Sequence, residues 1–260
     1  MEKDLNEKIA LVLGSTGSIG FRTAEIFAQR GAKTILNGRS AEGGVTAVRK
    51  LSEQDLHCHF EQGDACNHDD MLRVVGNVVT KLGVPDILVC SGGTVYPGPT
   101  PFLELSPEQI INGIQQRVAS RLLPVHAIAP RMRDRKGGAI VFVTSDAARH
   151  PTPGEVLVGA AGAAIMLATK ALAKEMSRWN IRVNCVNVTI TSDTKRFDEI
   201  FSTPGFSKNL FSKALERFPS GKPPAASNVA EAIAFLASPR SAEITGQTIS
   251  VNGGLSFGGW

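Results

Sequence analysis

Two hydrophobic rhythms alternate along the 260-residue chain. Short strand-like runs, most of them apolar, predict strands at residues 9–13, 34–37, 57–62, 87–90, 139–144, 181–188 and 248–251. Between them, apolar positions recur at helical spacing and predict helices at 19–30, 40–52, 69–82, 107–134, 154–179 and 228–237. Gly31 and Gly83 stand where two of these helices would stop, a place where a left-handed residue is useful. Strands separated by helices from one end to the other predict an α/β fold: a single Rossmann-like, doubly wound domain. Its seven-stranded, mostly parallel sheet would carry helices on both faces. No shift in composition marks a second domain, so residues 1–260 are expected to form one unit. Residues 191–224 break the rhythm with five phenylalanines, charges and prolines; such an insertion is expected to be a flap over a site.

Composition narrows the class. The chain has 28 basic and 24 acidic side chains, a formal charge of +4, with 42% hydrophobic and 20% charged residues, as in ordinary globular proteins. The longest mostly apolar uncharged run, residues 156–168, is shorter than the roughly 20 residues that cross a bilayer, so no membrane span is expected. The start, MEKDLNEK, mixes charges and lacks a signal-peptide apolar region. Cys58, Cys66, Cys90 and Cys185 are scattered and suggest no disulfide framework. The expectation is a reduced, cytoplasmic protein. A dispersed charge of +4 with 6% aromatic residues argues against a nucleic-acid reader.

Candidate chemistry begins after the first strand, at Gly14-Ser15-Thr16-Gly17-Ser18-Ile19-Gly20. A strand, a glycine turn and a helix N-terminus aim backbone N–H groups and the positive end of a helix dipole at one point, where a pyrophosphate can sit. Further along come Asp64, Asp86-Ile87-Leu88-Val89 before Gly92-Gly93, Ile181-Arg182-Val183-Asn184, Ile244-Thr245-Gly246-Gln247 and Val251-Asn252-Gly253-Gly254. With these motifs the chain resembles the short-chain dehydrogenase/reductase family over nearly its whole length. The resemblance implies NAD or NADP as cofactor, held by Gly14, Ser18, Ile19, Gly20, Arg39, Asp64 and Gly92, with Asp64 at the adenine. The second strand ends Asn37-Gly38-Arg39. Gly38 removes the acidic side chain that would repel a 2′-phosphate, and Arg39 offers a guanidinium to it, which favours NADP; a plain surface charge is the other use of Arg39.

Carbonyl reduction needs a hydride and a proton donor beside the developing alkoxide. The resemblance implies a serine that orients the carbonyl, a tyrosine acid or base and a lysine that holds the nicotinamide ribose. Tyrosine ordinarily titrates near 10, and an adjacent ammonium draws it toward neutrality. Ser145 matches the serine. The tyrosine position, thirteen residues on, is Val158, and the lysine position four beyond it is Gly162. Register is kept on both sides, so these are substitutions. Arg117 stands where the family helix has asparagine, Val188-Thr189 replaces its Pro-Gly, Cys90-Ser91-Gly92-Gly93 replaces Asn-Asn-Ala-Gly, and Ser18 replaces the middle glycine of the phosphate turn.

Other groups near Ser145 offer substitutes. Tyr96 is the only tyrosine and borders the pocket in the resembled fold, as a donor, a substrate contact or a structural residue. Asp146, Arg149, His150 and Glu155 suit a different acid–base site or simple ion pairing around a loop. His57, Cys58, His59, Asp64, Cys66 and His68 look metal-like in composition, but strand alternation would point His57 and His59 away from Cys58 and the spacing fits no closed zinc pattern; no metal is expected. Three functions follow. One is a non-catalytic subunit that pairs with a catalytically intact relative, through helices 107–134 and 154–179 or the C-terminal strand, with self-assembly as the other outcome. The second is an active NAD(P)-dependent oxidoreductase with an altered proton donor, and the third a ligand-binding or sensing protein.

Overall fold

A computed structural model describes residues 3–92 and 96–257. Gly93, part of the turn after the fourth strand, lies outside the described residues. The seven strands are β1 (Ile9–Leu13), β2 (Lys33–Gly38), β3 (Cys58–Gln62), β4 (Ile87–Cys90), β5 (Gly138–Ser145), β6 (Ile181–Val188) and β7 (Thr248–Val251). All pair in parallel, in the order β3-β2-β1-β4-β5-β6-β7, so "mostly parallel" sharpens to wholly parallel. The order reverses between β1 and β4, the switch point at which a doubly wound sheet opens a crevice beyond its strand ends.

The helices are α1 (Ser18–Gln29), α2 (Ala41–Ser52), α3 (His68–Leu82), α4 (Pro107–Arg135), α5 (Val156–Met176), α6 (Lys195–Ser202), α7 (Phe206–Leu215) and α8 (Ala226–Ala237). Local chemistry sets their starts. Ser40 accepts from the Gly43 amide, Asn67 from Asp70, and Ser106 and Gln109 form a reciprocal capping box with Pro107 at the first helical position. Alternation along the strands divides the core in two. Val12, Leu36, Val89 and Val141 meet Phe27 and Ile233 on one face; Leu13, Ile35, Leu88 and Phe142 meet Met71, Ile128 and Ile165 on the other.

Residues 191–224 hold two helices, α6 and α7, as well as connecting chain. Both are short, and the prolines between and after them made the stretch read as a loop. Ile190, Ile200 and Phe218 make a small separate core with Phe197, Phe201 and Phe211, which accounts for four of the five phenylalanines. Helix 156–179 is long and apolar enough by composition to cross a membrane, with mean hydropathy 1.9. It nevertheless packs on α4, β5 and β6 as a helix of the fold.

The C-terminal strand is fastened to β6 by polar side chains. Arg182 donates to the carbonyls of Leu236 (2.8 Å), Ser238 (3.1 Å) and Ile244 (3.2 Å) and to Ser241 Oγ (3.0 Å). Asn184 bridges the Ile244 carbonyl and the Gln247 amide. Arg182→Met removes four hydrogen bonds from a charged, half-buried donor and is expected to lower stability by about 2–3 kcal/mol in urea denaturation, with Lys restoring only part; an unshifted midpoint would show these bonds to be dispensable.

Candidate active site

At the switch point the backbones of β1 and β4 nearly touch. A Cβ on Gly14, where φ is +68°, would lie 2.1 Å from the Gly92 Cα, and one on Gly20 would lie 2.4 Å from the Gly14 carbonyl oxygen. Glycine is therefore required at 14 both for its left-handed backbone and for clearance. Ser18 takes φ +55° in the same turn, a conformation in which the resembled family places glycine. Ile19 packs its side chain against the core. Unlike α2, α3 and α4, helix α1 begins at Gly17 with no side-chain cap and no acidic residue in its first turn. Its first amides are thus open to an anion, as a pyrophosphate requires.

The adenosine side is similarly formed. Asp64 sits after β3, its amide held by Asp70 Oδ2 and its Oδ1 accepting from the Cys66 amide, both at 2.9 Å. The Asp64 amide and the Arg73 guanidinium hold the Asp70 carboxyl below its ordinary value. Arg39 is exposed at the end of β2, while the Gln62 side chain bonds its carbonyl. Gly38 is buried so closely against Thr16 that a Cβ would meet the Thr16 methyl at 2.6 Å. The residues of this half fit a dinucleotide's adenosine and pyrophosphate.

The reactive half is built differently. Ser145, at the end of β5, lines a cavity of about 180 Å³ with Thr144; α4 contributes Arg117 and Arg121, and α5 contributes Val158, Ala161, Gly162 and Ile165. Ser145 Oγ accepts from the Ala147 amide at 3.2 Å, which leaves its own proton free to donate. Val158 presents only methyl groups to this cavity. At Gly162 a Cβ would lie 2.8 Å from both Ala148 Cβ and Thr144 Oγ1, so the space in which a lysine stem would begin is already filled. The nicotinamide side therefore lacks the ammonium and phenol that the family resemblance implies.

Arg117 enters the same cavity as Val158 and Gly162. Its Nη1 donates to the Gly113 carbonyl (2.8 Å) and Nη2 to that of Pro97 (2.7 Å). Burial first, then the neighbouring Arg121, pull its pKa down to about 10, against the opposing pull of Glu155. Arg121 was not singled out by sequence motifs. Its signal was the four-residue spacing from Arg117, which puts both on one face of α4.

Of the alternative groups, Asp146 and Arg149 are committed to structure. Asp146 is buried and accepts from Ser250 (2.6 Å), Asn252 (2.5 Å) and Ser256 (3.2 Å), and Arg149 donates to the Thr248 carbonyl at 2.8 Å. Tyr96 is 75% exposed, accepts from Gln109 at 3.3 Å and is not among the described residues lining the Ser145 cavity. His68 and His126 form a ring-to-ring hydrogen bond of 2.9 Å. Among the described residues no three His, Cys, Asp or Glu side chains could share a metal ion.

Glu155 precedes α5 by one residue and is one turn before Val158. Burial raises its carboxyl from 4.5 to about 7 against the pull of Arg117 and Arg196. A carboxyl whose native pKa exceeds its unfolded value binds its proton more tightly when folded, so stability is greatest below about 4.5 and falls as pH rises through about 7. Glu155→Gln is expected to remove a decline of up to about 3 kcal/mol between those limits. Urea midpoints at pH 5 and 8 read this difference, and parallel profiles for the two proteins would refute it.

A family profile described as enoyl-(acyl carrier protein) reductase matches residues 14–256. The chain is 31% identical over 257 residues to 3-oxoacyl-(acyl-carrier-protein) reductase FabG of Chlamydia muridarum, covering 98% of this chain and all of that protein. It is 31% identical over 269 residues to human dehydrogenase/reductase SDR family member 4, covering 96% and 88% of the two chains. Among solved structures, a putative gluconate dehydrogenase from Agrobacterium tumefaciens superposes with a TM-score of 0.90 at 22% identity over 99% of both chains. With the parallel sheet, the glycine turn at its switch point and a profile match over most of its length, the chain belongs to the short-chain dehydrogenase/reductase family of oxidoreductases.

Proposed function

We propose that this chain is a non-catalytic subunit that pairs with, and stabilises, a catalytically intact NAD(P)-dependent alcohol dehydrogenase of its own family. The observation that carries this is the filled space at Gly162 beside Val158. Valine transfers no proton, and loss of general acid–base help alone typically costs about 10²–10⁴ in rate. The adenosine half is better kept, so the chain retains a dinucleotide cradle, with Gly38 and Arg39 favouring NADP over NAD. When bound, the dinucleotide supplies a hydride in active members; here Ser145 alone remains to orient a carbonyl.

The outer side of α5 supports the pairing. Only 39% of its most apolar window is buried, and Leu167 is 70% and Val156 49% exposed. Such a face suits a second helix pair of the same family, with a second copy of this chain as the other occupant. At the finer level the pattern resembles the inactive partner subunit of the heteromeric 2-(α-hydroxybenzyl)succinyl-CoA dehydrogenase of anaerobic toluene degradation. We therefore assign the partner an aromatic or cyclic hydroxyacyl-CoA substrate.

The purified chain is expected to show no NAD(P)-dependent turnover on a panel of alcohols and carbonyl compounds. Co-expressed with a relative that carries the tyrosine and lysine, it is expected to give a mixed oligomer by native mass spectrometry. Self-assembly alone, or turnover by the lone chain at the rate of intact members, would overturn the proposal.

The second function is an active oxidoreductase with an altered proton donor. Glu155 is the candidate: it stands one turn before Val158, its carboxyl is raised toward neutrality by burial, and it lies outside the lining of the Ser145 cavity, so a donor role requires the proton to reach that cavity from its rim. Turnover by the isolated chain that falls about 10²-fold or more in Glu155→Gln would support it, and turnover indifferent to that substitution would exclude Glu155.

A further inference from the structure

Two guanidiniums one helical turn apart share the Ser145 cavity, and like charges at that spacing repel. Arg121 bonds only neutral oxygens: the Val143 carbonyl through Nε (3.3 Å) and Nη2 (3.1 Å), Ser120 Oγ (2.6 Å) and the Arg117 carbonyl (3.5 Å) through Nη1. Among the described residues no carboxylate lies within ion-pair distance of it. The Thr144 hydroxyl, also on the cavity wall, makes no hydrogen bond to the described residues, and Ser145 has a proton to donate. The opposite wall is different in kind: Val158 and Ile165 of α5 present hydrocarbon.

A cavity with cations and hydroxyls on one side and aliphatic groups on the other selects an amphipathic anion. Its volume of about 180 Å³ equals roughly six waters at their liquid volume, enough for a carboxylate and a few carbons. The Arg121 Nε–Nη2 edge is occupied by the Val143 carbonyl, so a carboxylate meets the guanidinium charges and the two hydroxyls rather than a free fork, whereas a phosphate would leave charged oxygens against Val158 and Ile165 unpaired. We infer that this cavity is a binding site for a short-chain aliphatic carboxylate, its head between Arg117 and Arg121 with the Thr144 and Ser145 hydroxyls, and its tail against α5. This ligand places its negative charge beside Arg121, which has no carboxylate partner among the described residues, and it needs no redox chemistry.

Calorimetric titration of the full chain with butyrate, acetate and inorganic phosphate, at constant ionic strength balanced with chloride, tests the site. Butyrate is expected to bind saturably at one site and more tightly than acetate, with phosphate weaker than either. Arg121→Met is expected to weaken butyrate by about tenfold or more; it also removes the bonds to Val143, Ser120 and Arg117, so its unliganded melting temperature is expected to fall, and the affinity is read well below that melt. Should that variant not fold, Arg117→Gln reads the same interaction from the neighbouring turn. No saturable butyrate binding up to about 20 mM, phosphate binding at least as tight as butyrate, or butyrate binding unchanged in both variants would overturn the assignment. Because neither dinucleotide nor partner subunit enters the titration, its failure leaves the proposed subunit role standing.

Discussion

The contact between Gly14 and Gly92 governs where everything else can be. Two neighbouring strands send their chains off to opposite sides at the switch point, and the turns that follow them stay so close that neither position has room for a side chain. The turn after β1 is thereby pressed against the turn after β4, and helix α1 starts with its amides facing the crevice. Ser91 fixes the same junction by donating to the Leu13 carbonyl at 2.7 Å. From that junction the crevice runs one way to Asp64 and Arg39 and the other way to Ser145, α4 and α5.

Its two ends have followed different physical rules. At the nucleotide end the requirements belong to the backbone: clearance, left-handed φ values and uncapped amides, all of which are met. At the other end the requirements belong to side chains, and where the resembled family has tyrosine, lysine and asparagine this chain has Val158, Gly162 and Arg117. Asp146 shows that the surroundings of the altered end remain well ordered. Its three hydrogen bonds tie the turn after Ser145 to β7 and the residues after it, so the cavity keeps a defined shape.

Strand positions were legible where the run was apolar on both faces, as in β1, β4 and most of β5, or alternated as in β6, and β1, β4, β6 and β7 fall on the predicted residues. The motif glycines were legible for the same local reason. Helices α6 and α7 were not, since they are only 8 and 10 residues long, bury few residues and are set apart by Pro204 and Gly205 in a stretch that reads as a loop. The substitution of Val158 and Gly162 could be counted off from Ser145, but the filling of the space beside Gly162 could not, because Ala148 and Thr144 reach it only through the fold. Arg121 escaped notice for a related reason: an arginine on a helix reads as a solvated charge until the cavity it faces is known.

The crowding at residue 162 sets what any larger side chain there must overcome. With Ala148 Cβ and Thr144 Oγ1 each 2.8 Å from the place of an added Cβ, a lysine at 162 would need one of those neighbours to give way. Placing tyrosine at 158 and lysine at 162 therefore meets a steric barrier that smaller or shifted groups at 144 and 148 would have to relieve first.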